Sequence, residues 1–329
     1  MIKYSVVIRT TGNAKEKYQK LLNSIDKLVP KPEEVIVVLP EGYEKPLEKL
    51  GWETYYFCQK GMVEQRLYGI NKCKTPYALV CDDDVCFDEN FVQKLHSPIE
   101  EGIAQLSAGP LLSYLPPKGV KSVFYTFTGA AIPRVISGGK YITVLPTTGY
   151  TYYRSIDVER HEYYKAESLP WTCFYGSIES MKEIHMEDEM WLQLHGYASM
   201  DDQTMFYKAH LLGIETAVVS DATYEHLDAQ TSRKILEDIA YAMEFNRYIF
   251  WHRFIYNLDS GIKRKFDKLC IEYYFGIKFF YNLLRLCKGS LDMNAFNAKL
   301  QAVKDAKEFV KSEQYQKLKP LCRKDKMRM

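Results

Sequence analysis

GMVEQRLYGINKCKTPYALVCDDD, residues 61–84, is the stretch that decides the fold. Val63, Leu67 and Ile70 recur at helical spacing, which predicts a helix over Met62–Lys72. Tyr77–Cys81 is a short, wholly apolar run bounded by Thr75-Pro76 and by three aspartates, the pattern of a strand buried on both faces. A helix feeding such a strand is one repeat of a parallel sheet covered by helices. The pattern extends upstream. Ser5–Thr10 reads as a strand, and Tyr18, Leu21, Leu22, Ile25 and Leu28 mark a helix from Ala14, with Asn13 and Glu16 spaced as a cap. Pro30 and Pro32 end that helix before a second strand, Glu34–Leu39, and a third follows at Trp52–Phe57.

Downstream, residues 111–170 are rich in Tyr, Thr, Gly and Pro with weak periodicity, as expected of a substrate-facing insertion. Order returns in a helix over Asp202–Leu212, ended by Gly213, and a strand over Ile214–Ser220. Beyond Thr231 the chain reads as mostly helical, with aromatic and basic residues interleaved.

Hydrophobic residues at 47% and charged residues at 26% of 329 exclude a disordered or fibrous chain. The net charge of +2 hides an asymmetry: residues 1–230 hold 23 Lys+Arg against 31 Asp+Glu, whereas residues 231–329 hold 21 against 11. An acidic catalytic part followed by a basic, partner-seeking part is the reading. The eight cysteines lack metal-finger or redox spacing, which favours a reduced, cytoplasmic setting. MIKYSVVIRT opens directly into a strand pattern with no signal-peptide grammar, and the most apolar late stretch, Leu269–Cys287, is broken by Glu272, Lys278 and Arg285. The basic helices admit peripheral contact with the inner face of a membrane. Their apolar positions suffice to pack onto a core, so a helical cap or an oligomer interface is the preferred reading.

Asp82, Asp83 and Asp84 repel one another at a strand end unless a cation offsets them, and Mg2+ or Mn2+ is the simplest. If extended geometry persists, Asp82 and Asp84 share a face and Asp83 points elsewhere. An acidic turn that merely ends the strand is the bland alternative. A calcium loop fails, since counting from Asp82 its glycine and glutamate positions fall on Phe87 and Gln93.

Four segments resemble the GT-A glycosyltransferases of the family 2 type: SVVIRTTGN, EVIVVLPEG, GMVEQRLYGINKCKTPYALVCDDD and GYASMDDQTMFYKAHLLGIETAVVSDATYEH. The resemblance implies a Rossmann-like, mainly parallel sheet flanked by helices in residues 1–230. The nucleotide-sugar half would be about 1–115 and the acceptor half about 116–230, with a basic, aromatic-rich helical extension over 231–329. It implies that Asp84 binds the metal and Asp82 the ribose or a metal-bound water, with Asp83 beside them. Thr10, Thr11 and Glu41 match the loops that hold the base, and Arg66 the arginine near base and diphosphate; without the resemblance, a surface helix arginine is an equal reading of Arg66. Arg9 sits where proline is common. Asp201 and Asp202 match the acidic pair supplying the general base, with Asp202 favoured and kept ionised by the helix dipole. Whichever is not catalytic would cap the helix. His226 matches a histidine on the metal or diphosphate.

The implied activity is metal-dependent, inverting transfer of a sugar from a nucleoside-diphosphate sugar, UDP-sugar foremost, to a hydroxyl of a saccharide or lipid-linked saccharide, in polysaccharide or glycoconjugate synthesis. No nucleic-acid partner is expected. Tyr150–Tyr153 and Trp171–Tyr175 are candidates for an acceptor-stacking wall, with core packing as the equal alternative. A sugar-1-phosphate nucleotidyltransferase is the rival enzyme, though no glycine-rich, lysine-bearing loop follows the first strand. A non-catalytic carbohydrate-binding or scaffold protein of the same fold is the rival of another class. A dinucleotide-binding dehydrogenase is disfavoured, because Thr10-Thr11-Gly12-Asn13 lacks the glycine fingerprint.

Overall fold

The computed structural model describes residues 2–110, 140–153, 155–228 and 236–321. Strands β1 (Tyr4–Arg9), β2 (Glu34–Pro40), β3 (Thr54–Cys58) and β4 (Tyr77–Asp82) are interleaved with α1 (Glu16–Lys27) and α2 (Met62–Lys72). β1, β2 and β4 are buried along almost their whole length, which is why their sequences are continuously apolar. The expected cap on α1 does not form. The helix starts at Glu16, and Lys15 before it takes a left-handed φ of 51° with no side-chain cap. Next come β5 (Val85–Phe87), α3 (Phe91–Glu100) and β6 (Leu106–Ala108). Residues 111–139 of the expected insertion lie outside the described residues; the rest holds β7 (Ile142–Val144), β8 (Thr151–Tyr153) and β9 (Tyr163–Lys165). β10 (Cys173–Ser177), α4 (Ile178–Glu183), a 3-10 stretch (Met186–Gln193), α5 (Asp201–Leu212), β11 (Thr216–Val219) and β12 (Tyr224–His226) complete this part. Gly213 caps α5 with a φ of 75°.

The main sheet has eight strands in the order β3-β2-β1-β4-β10-β6-β11-β9, all parallel except β9 and β10. Pleating sorts its residues between two cores. Val7, Val38 and Val80 join α2, α5 and the later helices, whereas Val6, Ile8, Leu79 and Cys81 face α1 and α3. Arg9 and Asp82, each one residue beyond Ile8 and Cys81, therefore fall on the α2 and α5 face and are register partners. A separate two-stranded ribbon pairs β12 with β5, setting His226 opposite Val85. All seven described cysteines are free thiols.

After residues 229–235, which lie outside the described set and hold the expected domain boundary, the chain is helical, as anticipated. α6 (Leu236–Trp251) runs into a π-helical turn (His252–Tyr256), then α7 (Gly261–Cys287), α8 (Met293–Phe309) and α9 (Glu313–Gln316). α6 docks through Phe245, Ile249 and Phe250 into the same core as α5, and Asn246 donates to the carbonyls of Leu192 and Ser199, both at 2.9 Å. The turn carries Arg253 inward to Glu189, a fully buried carboxylate. Glu189 accepts from Arg253 Nε at 2.6 Å, Arg253 Nη2 at 2.8 Å, Lys208 Nζ at 2.8 Å and Trp191 Nε1 at 2.7 Å. Lys208 lies on α5, so this knot joins the α/β part to the helical part. Two buried cations share one carboxylate, and removing it leaves both uncompensated. Glu189→Ala is expected to cost about 3–5 kcal/mol, seen as a large fall in thermal midpoint; a change of a degree or two would contradict the role.

Candidate functional site

The carboxyl ends of β1 and β4 meet the N-terminus of α5 at a cluster of opposed charges. Asp82 Oδ1 accepts from Arg9 Nε at 3.1 Å and from Arg66 Nη2 at 2.7 Å. Arg66 Nη1 reaches the other way, to Asp201 Oδ2 at 3.0 Å. The guanidinium lies 4.8 Å from the ring centroid of Trp171. Arg66 is fully buried, so the reading of it as a surface arginine fails: α2 turns it inward, among Asp82, Asp201 and Trp171. Its backbone can lie close because Gly69, one turn on, has no side chain; a Cβ there would stand 2.4 Å from Val7 Cγ1.

β4 ends at Asp82, and Asp83 and Asp84 form the turn into β5. Extended geometry is lost there, so Asp82 and Asp84 have different partners, contrary to the expectation of a shared face. Asp83 accepts from Thr10 Oγ1 at 2.5 Å, and Thr10 Oγ1 accepts from Gly12 N at 2.8 Å, folding the β1 loop over the triplet. Burial, opposed by Arg9, raises the Asp83 pKa to about 6. Asp84 Oδ1 stands 3.3 Å from His226 Nε2, delivered by the β5–β12 ribbon. The hydrogen bond that His226 donates to Asp84 raises the His226 pKa against the opposing effect of burial. Among the described residues no three His, Cys, Asp or Glu side chains form a ready metal cage. Asp84 and His226 are thus brought together, and Asp82, expected with them, is held by the two arginines instead.

Asp201 and Asp202 occupy the first turn of α5, after Met200 at a left-handed φ of 73°. Neither caps the helix as N-cap residue; Asp201 engages Arg66, and Asp202 Oδ1 accepts from its neighbour Gln203 N at 2.7 Å. Burial, then the adjacent Asp201 carboxylate, push the Asp202 pKa up to about 7. Burial also raises Asp201, with Arg66 opposing. The expectation of a carboxylate lowered by the helix dipole is overturned: burial and a like charge outweigh a terminus effect of roughly 0.3–1 kcal/mol.

Thr11 lines the β1 loop with its Oγ1 buried and unpartnered among the described residues, whereas Glu41 is exposed, one residue beyond the end of β2. Of the aromatic candidates, Trp171, Phe174 and Tyr175 are core residues. Tyr150 has a different setting: with Tyr274 of α7 it flanks the guanidinium of Arg247 on α6, at 5.5 and 5.8 Å from the ring centroids. Arg247 Nη1 is buried with no hydrogen-bond partner among the described residues. Burial opposes its charge, and Tyr274, Glu244, Tyr150 and Asp202 overcome it. Sequence reading missed Arg247, since one arginine in a basic helix carries no signal; Arg9 stood out only as a departure from a pattern.

No protein-family model and no curated protein matches the sequence. Solved structures do resemble the fold. S. aureus TarS 1-349 in complex with UDP-GlcNAc superposes with a TM-score of 0.51 at 16% identity, over 93% of this chain and 80% of that one. For the longer S. aureus TarS the values are 0.50 and 16%, over 96% of this chain and 50% of that one, so the chain spans about half of it. GalNAc-T7 with UDP, GalNAc and Mn2+ gives 0.51 at 12%, over 83% of this chain and 56% of that one. At such identities the likeness shows the fold, and it is the GT-A architecture.

Removing the bridging cation tests the cluster. In Arg66→Met, Asp201 loses the charge that lowers its pKa, so its folded pKa rises further above the unfolded value. A carboxyl raised on folding destabilises progressively as pH rises toward its folded pKa. The thermal midpoint of the variant should therefore trail the wild type more at pH 8 than at pH 5; a constant gap would contradict the bridge.

Proposed function

We propose that the chain is a glycosyltransferase that moves a sugar from a nucleoside-diphosphate sugar, a UDP-sugar foremost, to an acceptor hydroxyl with inversion. The observation that carries this reading is the Asp82–Arg66–Asp201 bridge. It holds an acidic strand end, suited to a donor, against a carboxylate pair on a separate element, suited to an acceptor. The likeness in fold to proteins solved with UDP-GlcNAc or with UDP and Mn2+ supports the choice of donor.

In this reading the β1 loop, with Thr10 and Thr11, and the exposed Glu41 take the nucleoside, and Asp82 and Asp83 frame the ribose. Asp84 and His226 would hold a divalent ion, Mn2+ or Mg2+, through a carboxylate oxygen and an imidazole nitrogen. Such an ion, when bound, supplies charge neutralisation for the departing diphosphate. Arg66 and Arg9 hold Asp82 in place. The acceptor oxygen forms its bond to the anomeric carbon, its proton passes to Asp202, and the carbon–oxygen bond to the diphosphate breaks with the electron pair leaving on that oxygen. Attack opposite the leaving group inverts the anomeric centre. Tyr150, Tyr274 and Arg247 form the acceptor side: the rings suit a sugar face, and the guanidinium nitrogen that has no hydrogen-bond partner among the described residues suits an acceptor oxygen.

Nucleoside diphosphate released from a panel of sugar nucleotides, with and without Mn2+, tests the reading; no binding or turnover with any donor would sink it. With a working donor, kcat/KM should climb as pH rises through about 7, where Asp202 of the free enzyme loses its proton. Asp202→Asn should lower kcat by about 10²–10⁴ and abolish that limb, leaving donor affinity unchanged. Arg247→Gln should raise KM for the acceptor and leave KM for the donor alone; equal effects on both would place Arg247 elsewhere.

A further inference from the structure

We propose that α7 seats the protein on an anionic membrane surface. Although no helix among the described residues is long and apolar enough to cross a membrane, α7 carries two apolar faces. One packs inward through Ile271 and Tyr274. The opposite face bears Ile262, Phe266, Leu269, Tyr273, Phe280 and Leu284, repeating at spacings of three, four or seven residues along a rod of about 40 Å. These side chains are open to solvent, with exposures of 87% for Ile262, 67% for Leu269 and 62% for Phe280. The expectation of a helix that merely caps a core accounts for the first face and leaves the second uncovered. Aromatic and aliphatic groups of this size, aligned rather than scattered, mark a contact surface.

Charge selects the occupant. From Gly261 to Lys288 the chain holds seven Lys and Arg against two acids, Asp267 and Glu272. Asp267 is buried beneath the helix, and Glu272 is tied to Lys307 at 2.9 Å. Lys265, Lys268 and Lys288 are exposed. On helical geometry Lys265 and Lys268 border one side of the stripe and Lys288 the other. A second copy of this face would bring cations against cations. A lipid surface with anionic headgroups takes both features at once: apolar side chains enter the acyl boundary while lysines meet phosphates. This inference does not depend on the sugar-transfer reading, since no residue of the outward face belongs to that site.

Vesicle flotation of the full chain tests it, with phosphatidylcholine alone and with phosphatidylcholine containing phosphatidylglycerol, at low and high salt. The expected result is flotation with the anionic vesicles, weakened by salt and lost in Phe266→Ser/Leu269→Ser/Phe280→Ser. These positions are solvent-facing, so the thermal midpoint should hold. Lys265→Gln and Lys268→Gln should each weaken binding about fivefold, keeping a charge-only readout available should the triple variant fail to fold. No flotation with either vesicle overturns the proposal. So does a concentration-dependent dimer in sedimentation velocity that the triple variant dissolves without any lipid binding, which would make the face an interface between copies.

Discussion

The guanidinium of Arg66 is the constraint on which the site depends. Asp82 ends a central strand and Asp201 opens a helix more than a hundred residues later, and the same buried cation donates to both. A buried carboxylate without a partner costs several kcal/mol, so neither aspartate can leave without exposing the other elements to that penalty. The strand end, α2 and α5 are thereby held in one relative position. The planar fork allows this, because its two terminal nitrogens point at different acceptors, which a single lysine ammonium at the end of a flexible stem would not hold as rigidly. Trp171 beneath the fork and Arg9 beside Asp82 complete an arrangement in which positive charge sits behind the acidic turn and leaves Asp84 with His226.

The helical segment is bound to this arrangement from the opposite end of α5. Lys208, two turns along from Asp201, shares Glu189 with Arg253, and a π-helical turn gives Arg253 its direction. Asn246 fastens α6 to the carbonyls of Leu192 and Ser199, just before the α5 N-terminus. One residue later on α6, Arg247 faces Tyr150 and Tyr274. The aspartate pair is thus positioned by α2 on one side and by the helical segment on the other, which gives the latter a part in shaping the site as well as a surface of its own on α7.

Much of the sheet was legible in the chain. The helix predicted at Met62–Lys72 has those bounds, and the apolar runs at Ser5–Thr10, Glu34–Leu39 and Tyr77–Cys81 form β1, β2 and β4 within one residue at each end. Such runs are readable because a strand buried on both faces has no alternative use for continuous branched apolar residues. Less legible were features set by a single backbone angle, such as the start of α1 after Lys15 or the turn at Asp83–Asp84. There the two-residue alternation that would align Asp82 with Asp84 stops applying. Nor does one sequence reveal that Arg66 is buried, since its position on α2 is amphipathic and its partner Asp201 is remote.

Local pattern determined the strands and helices and singled out the Asp82–Asp84 triplet, because periodicity and short-range spacing are properties of neighbours in the chain; the nomination of Asp201, Asp202 and His226 came from the resemblance to the GT-A family. Partnership and protonation were decided only in three dimensions. Asp82 went to the arginines and Asp84 to His226 once the turn broke the strand, and Asp202 rose toward neutrality because burial and a like charge act through space. The exposed second face of α7 is likewise a tertiary fact: the sequence shows apolar residues all around that helix, and only packing decides which of them the protein covers.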